Sequence, residues 1–187
     1  MIYPIVAYGT PVLKKKAEFI DSAHPDLQGI IQNMFDTMYK AHGVGLAAPQ
    51  VGLSIRLFVI DASPFADEDP KLNGLKKVFI NAEILEEEGD GWKFNEGCLS
   101  IPGIREDVER KPTLLLRYVD ENFTPFEERF DGILARVIQH EYDHIEGVLF
   151  TDRLSQLRKT LLKGKLADIS KGRVDVDYRM KFPLLRK

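Results

Sequence analysis

Apolar residues recur at intervals of three and four in three stretches of the chain and alternate with polar residues in several others. Between residues 25 and 41 they are Leu27, Ile30, Ile31, Met34, Phe35 and Met38. That spacing predicts a helix with one buried face, Pro25 in its first turn and Gly43 just past its end. A second helix is expected from about 132 to 146, stopped by Gly147, with Ile133, Leu134, Val137, Ile138 and Ile145 on its apolar side. A third, near the C-terminus, carries Leu154, Leu157, Leu161 and Leu162. Residues 55–60 and 77–86 read as strands flanking a polar loop at 63–74, and 92–94 alternate briefly. Further short strands are expected at 104–110, 113–119 and 126–130, with Lys111-Pro112 and Asp120-Glu121-Asn122 as turns. One helix, a set of short, mostly antiparallel strands, a central helix and a terminal helix make an α+β domain spanning 1–187.

Composition narrows the class. A chain of 187 residues, 44% hydrophobic and 29% charged, suits one soluble domain with a sizeable core. No apolar run is long enough to cross a bilayer, and the first residues lack the form of a signal or transit peptide. Cys98 is the only cysteine, so no internal disulfide forms and a reducing cytoplasm is the expected location. Charge is uneven: residues 151–187 hold eleven Lys and Arg against four Asp, while the preceding residues are acidic. Neither a membrane nor DNA is an expected partner. The segment Gly43-Val44-Gly45-Leu46-Ala47-Ala48-Pro49-Gln50-Val51-Gly52 has the wrong glycine spacing and no Lys-Ser/Thr ending for a phosphate loop. Its glycines would instead let another chain or a ligand approach the backbone closely.

The chemistry concentrates in the central helix. His140-Glu141-Tyr142-Asp143-His144 is an HExxH motif, and it uses two of the four histidines. On a helix the two rings lie about 40° apart and one turn from each other, so they can grip one divalent cation. Glu141, about 100° from His140, is placed to take a proton beside them. The apolar residues of this helix share the half-turn that carries the motif, so the histidines face the core, where an unpaired polar group is costly. His24 and His42 flank the first helix without a partner in motif spacing and are expected at the surface. A catalytic site of this kind takes three protein ligands. The HExxHxxGxxH template holds through Gly147 but meets Phe150 where a histidine is required, and no glutamate follows Glu146. Asp168 is an available carboxylate with nothing to single it out. Cys98, as a thiolate, suits zinc or ferrous iron, although a lone cysteine is ordinarily a small buried hydrophobe.

Three segments taken together resemble the signature of the bacterial peptide deformylase family: GVGLAAPQVG at 43–52, Glu96-Gly97-Cys98-Leu99-Ser100, and His140 to His144. Their order, spacing and internal letters match the family's pattern, and the resemblance covers roughly residues 1–160. It implies that Cys98, His140 and His144 hold one divalent ion, natively ferrous iron, with zinc, nickel or cobalt able to replace it. Glu141 is implied as general base and then proton donor, with Gln50 and the backbone N–H of Leu99 as the oxyanion hole. The implied substrate is an N-formylmethionyl nascent chain, deformylated with release of formate. Its backbone would pair at Val44-Gly45, and Arg105 would lie near it. For the methionine side chain, the helix stripe before His140 suggests a pocket from Ile133 and Val137, completed by Val44 and Phe94 beside the other motifs. The basic tail after about residue 150 is expected to help dock the enzyme on the ribosome, whose RNA attracts cations. Two other functions fit the residues alone: a zinc endopeptidase of unusual ligation, and a binding protein stabilised by a metal without catalysis. Cleavage of formyl-Met over acetyl-Met peptides, and the effect of metal removal, distinguish them.

Overall fold

The computed structural model describes residues 1–184. Two cations of the basic tail, Arg186 and Lys187, lie outside the described residues. In chain order the elements are β1 (Ile5–Val6), α1 (Leu27–Lys40), β2 (Gly45–Ala47), β3 (Leu57–Asp61), β4 (Lys76–Glu88) and β5 (Trp92–Cys98). There follow β6 (Ile101–Arg110), β7 (Thr113–Val119), β8 (Pro125–Asp131), α2 (Gly132–Ile145), α3 (Gln156–Ser170) and β9 (Met180–Lys181). The fold is α+β, as expected. Five strands form an antiparallel sheet in the order β2-β3-β4-β7-β8, β5 and β6 form a separate hairpin, and β1 pairs with β9 in parallel.

The apolar run Leu57-Phe58-Val59-Ile60 lacks alternation because β3 is covered on both faces. Phe58 and Ile60 join Phe79, Leu116, Tyr118, Ala135 and Ile138 in one core cluster, under α2. Leu57 and Val59 join Met34, Phe35, Met38 and Ile80 in another, under α1. A third cluster packs the β5–β6 hairpin and α3 together through Ile101, Ile104, Val108, Leu162, Leu166 and Ile169. The site lies where the three meet.

The end of α2 shows how the sequence stops the helix. Gly147 adopts φ +74°, the N–H of Val148 donates to the Asp143 carbonyl (2.8 Å), and the N–H of Gly147 donates to that of His144 (3.3 Å). This is the double hydrogen bond of a Schellman cap, and it needs a left-handed residue at Gly147. A side chain there would also meet the Lys14 carbonyl at 2.9 Å.

Several expectations change. Pro25 precedes α1 instead of lying in its first turn; Asp26 stands at the N-cap position at φ 53° without a side-chain capping bond, and the helix begins at Leu27. The short alternation after Trp92 continues to Cys98 as a full strand. β1, β2 and β9, each of two or three residues, are too short for a periodic signal. In α3 the buried stripe is Leu162, Leu166 and Ile169, whereas Leu157 and Leu161 are 70% and 60% exposed. The latter two occupy a different i, i+4 stripe, so they face solvent.

Candidate metal centre

The missing side chain of Gly45 makes room for Glu141. A Cβ there would come within 2.8 Å of both Cγ and Cδ of the glutamate. The glycine expected to admit a peptide is thus also required by the motif helix. Gly43 plays the same part for Leu99, whose Cδ1 would lie 2.8 Å from a Cβ.

Helix α2 delivers His140 and His144 as the spacing predicts, with ring centroids 5.1 Å apart and planes at 77°. Cys98 ends β5 at a break in register with β6, which turns its sulfur toward the helix. Its Sγ lies 3.3 Å from His144 Nε2, and the donor atoms of Cys98, His140 and His144 all fall within 4.8 Å of one another. Ligand atoms around one tetrahedral zinc ion stand roughly 3.3–3.6 Å apart, from metal–ligand distances of about 2.0–2.3 Å. The cluster therefore fits a single ion after small adjustments. A second observation agrees: Glu141, only 4% exposed, has no hydrogen-bond partner for Oε2 among the described residues. A carboxylate buried and unpaired beside a thiol and two imidazoles needs a cation and a proton-bearing partner.

Gln50 is fixed by its own turn. Its Oε1 accepts the N–H of Ala47 (2.8 Å), which directs Nε2 toward Cys98 Sγ at 3.5 Å. At 1% exposure the amide is immobilised with its donor side facing the cluster.

Behind the donors lies a buried charge network that the sequence reading did not assign. Glu96 Oε2 stands 2.9 Å from His140 Nδ1, and Glu96 receives Nε and Nη2 of Arg110 (2.7 and 3.0 Å) and Nη1 of Arg136 (3.0 Å). Arg110 Nη1 reaches on to Asp143 (2.8 Å), which also receives Arg153 Nε at 2.6 Å. Burial opposes ionisation of Glu96, but the hydrogen bonds from His140 and Arg110 outweigh it and hold the carboxyl far below its usual range. Glu96 therefore accepts from Nδ1–H of His140, leaving Nε2 with its lone pair available to the cluster. One signal for these residues was present. On β6 the inward positions Ile104, Glu106, Val108 and Arg110 alternate with outward ones, so two charged residues fall where apolar ones belong. Arg136, one turn before His140, is a similar charged interruption of an apolar face.

Titration follows this geometry. Burial pushes Glu141 up to about 7, with His140 opposing and Glu96 adding to the shift. Burial, then the charges of His140 and Arg110, hold His144 well below its ordinary value, which favours the neutral ring. At His140 burial acts in the same direction, but hydrogen bonds with Cys98 and Glu96 prevail and raise it.

The donors open into a cleft of about 760 Å³ between β2 and the β5–β6 hairpin. Val44, Gly45, Gln50, Phe94, Cys98, Leu99, Arg105, Val137, His140 and Glu141 all line it, so nearly every residue singled out from sequence converges there. His144 lies behind the wall, 1% exposed. Ile133 is not among the lining residues and packs against the core under α2. Two helical turns, about 10 Å along the axis, carry it past the end of the cavity. Arg105 donates from Nε to Asn95 Oδ1 (2.8 Å) and from Nη2 to the Asn95 carbonyl (2.6 Å), so its guanidinium is held at the rim. The cleft also includes residues 175–178, from the basic C-terminal stretch that lies outside the three motifs.

An α+β fold that gathers a thiol, two histidines and a buried free carboxylate at the base of a cleft defines a metallohydrolase of the HExxH type. The sequence profile described as "Polypeptide deformylase" matches residues 2–160. Peptide deformylases of Christiangramia forsetii and Cytophaga hutchinsonii are 58% and 60% identical, covering 100% and 98% of this chain and 99% of each relative. Among solved structures, a peptide deformylase from Legionella pneumophila superposes with a TM-score of 0.79 at 39% identity, covering 92% of this chain and 98% of that one. The one from Thermotoga maritima gives 0.75 at 40%, covering 83% and 99%. The chain belongs to the polypeptide deformylase family. It is a metal-dependent hydrolase that removes the N-formyl group from the initiator methionine of newly made polypeptides. The endopeptidase and non-catalytic alternatives fall with that membership.

Proposed function

We propose that Cys98, His140 and His144 together hold the divalent ion, natively ferrous iron, with zinc, nickel or cobalt as substitutes, and that Glu141 moves the protons of deformylation. The unpartnered Glu141 carboxylate beside the three donors carries this reading. When bound, the ion supplies a Lewis acid and brings the pKa of a coordinated water toward neutrality. Glu141 accepts a proton from the attacking water and returns it to the departing amine, so that formate and a free α-amino group are released. Gln50 Nε2 and the N–H of Leu99 bind the formyl oxygen as it gains charge, each such donor contributing about 3–4 kcal/mol in comparable sites.

The register of β2 supports the placing of the peptide. It is an edge strand, and its pairing with β3 uses the Val44 carbonyl, which accepts the N–H of Asp61 at 3.0 Å. Alternation along an antiparallel pair then directs the N–H and C=O of Gly45 away from β3. Gly45, more than Val44, offers the free backbone groups to which a substrate strand adds. Val44, Phe94 and Val137 form the apolar side for an unbranched thioether chain, and Arg105 stands at the rim. The chain acts as one catalytic unit in the cytoplasm; among the described residues no helix is long and apolar enough to cross a membrane.

Anaerobically purified, metal-quantified protein is expected to release formate from formyl-Met-Ala-Ser and to leave acetyl-Met-Ala-Ser intact. In the same assay Val137→Asp should raise KM for the formyl peptide at least tenfold with metal content unchanged, since a buried, unpaired carboxylate would have to be desolvated by the methionine side chain. Equal cleavage of both peptides would remove the proposed selectivity, and an unchanged KM would move the methionine pocket elsewhere.

We also propose that α3 docks on the ribosome. Its exposed face presents Leu157 and Leu161 with Lys163 and Lys165, a pattern suited to a polyanion edged by apolar surface. Lys163→Glu combined with Lys165→Glu should weaken co-sedimentation with ribosomes at low salt and leave formate release from a tripeptide unchanged. Undiminished co-sedimentation would rule this docking surface out. Truncating the tail would be a poorer test, because residues 175–178 line the catalytic cleft.

A further inference from the structure

One wall of the cleft lies beyond the part of the chain that the family profile matches. That match ends at residue 160, yet Asp175, Val176, Asp177 and Tyr178 line the cavity. After α3 the chain reverses at Gly172, φ +74°, and runs back to pair Met180 with Ile5 and Lys181 with Val6. Backbone hydrogen bonds from Ile5 N to Arg179 O and from Ala7 N to Lys181 O, both 2.9 Å, fix this return. The Tyr178 ring packs against the cluster that includes Met34, Met38 and Leu46. Its hydroxyl donates to the carbonyl oxygen of Leu99 at 2.8 Å. The next carbonyl of the same turn, that of Ser100, accepts from the N–H of Tyr8 at 2.9 Å. The tight turn joining Cys98 to Ile101 is therefore held by one hydrogen bond from each end of the chain.

We infer that Tyr178 is a positioning residue for deformylation, acting through Leu99. This rests on the role proposed above for the Leu99 N–H. That N–H lies on the peptide unit shared with Cys98 and the anchored carbonyl on the next unit, so the hydroxyl acts across the Leu99 Cα, limiting the turn's rotation and with it the direction in which the N–H points. Packing is supplied by the aromatic ring, so the hydroxyl is left with the single task of anchoring the Leu99 carbonyl. Cys98 is held separately, through its strand and its sulfur. The anchor therefore acts on the oxyanion donor indirectly, by fixing the far side of the Leu99 Cα, while the sulfur keeps its own holds.

Tyr178→Phe in the full-length, zinc-loaded protein separates the hydroxyl from the ring. Expected are unchanged zinc content and melting temperature, a kcat for formyl-Met-Ala-Ser lowered about tenfold, and a KM within about twofold of the parent. The amide protons of Leu99 and Ser100, followed by NMR, should exchange faster. Gln50→Ala is measured beside it. Wild-type kcat and wild-type exchange in Tyr178→Phe would overturn the inference; if Gln50→Ala is impaired in that case, the oxyanion reading survives alone. A fall in kcat without faster exchange would also overturn it, as would loss of zinc or of melting temperature, which would make the residue merely structural. Faster exchange with wild-type kcat would equally count against it. If Gln50→Ala kept full kcat, the oxyanion reading would fail at Gln50, while the paired kcat and exchange of Tyr178→Phe still decide its own case.

Discussion

Glu141→Gln is expected to keep a near-stoichiometric metal and a folded chain while formate release falls by about 10²–10⁴, the usual contribution of a positioned proton-transfer group. The substitution retains the shape that fits over Gly45 and removes only the basic oxygen. Cys98→Ala is the matched contrast. It takes away one of three donors, so metal affinity and activity should vanish together, whatever the state of Glu141. Both are measured on the same preparations, by metal analysis and by formate release. Full activity in Glu141→Gln would sink the proton role, and full occupancy in Cys98→Ala would remove the sulfur from the donor set.

The second large effect is expected at Glu96, which never touches the ion. Among the described residues, Glu96→Ala strips Arg136 of its only carboxylate and Arg110 of one of two, all of them buried. Breaking a buried pair from one side typically costs about 3–5 kcal/mol, because the remaining charge stays desolvated. For a chain of this size that corresponds to a melting temperature lower by roughly 6–20 °C. His140 also loses the acceptor that orients its ring, so metal affinity should drop about 10–100-fold. The pH dependence has a definite sign. A carboxyl held below its unfolded value contributes stability above a pKa of about 4.3 and loses it as pH falls toward the folded value. The parent protein should therefore lose more stability on acidification below pH 4 than the variant does. A variant with the parent's melting temperature and metal affinity would show that the network is dispensable.

Much of this architecture could be read from the sequence, and the misses have physical reasons. Helix α2, its stop at Gly147 and its histidine pair were all legible, because periodicity, a left-handed cap and i, i+4 spacing are local properties. The strands β7 and β6 were recovered for the same reason, apart from three residues at the start of β6. The approach of Cys98 to the histidine pair was legible only through the resemblance, since it depends on a register break that no local pattern encodes. Glu96, Arg110 and Arg136 were missed because a buried charge appears surface-like by composition until its partners are known. The return of residues 175–181 to the cleft and to β1 was not legible in the basic stretch 151–187, because it depends on long-range pairing. β9 has two residues, and it exists only because β1 waits at the other end of the chain. Ile133 was misplaced by treating a helical face as if it were a cavity wall along its whole length.

The parallel pairing of β1 with β9 also sets an order of events in time. Residues 5–6 cannot acquire this partner until residues 180–181 have been made, so the turn that carries Leu99 receives its second anchor last. Closing so long a loop adds little to the thermodynamic cost, about 0.6 kcal/mol for each doubling of length, but it places a non-local contact late in assembly. A nascent copy of this enzyme can thus fold its sheet and motif helix first. The turn at Leu99 is complete only after residues 178–181 have cleared the exit tunnel, long after residue 1 has emerged.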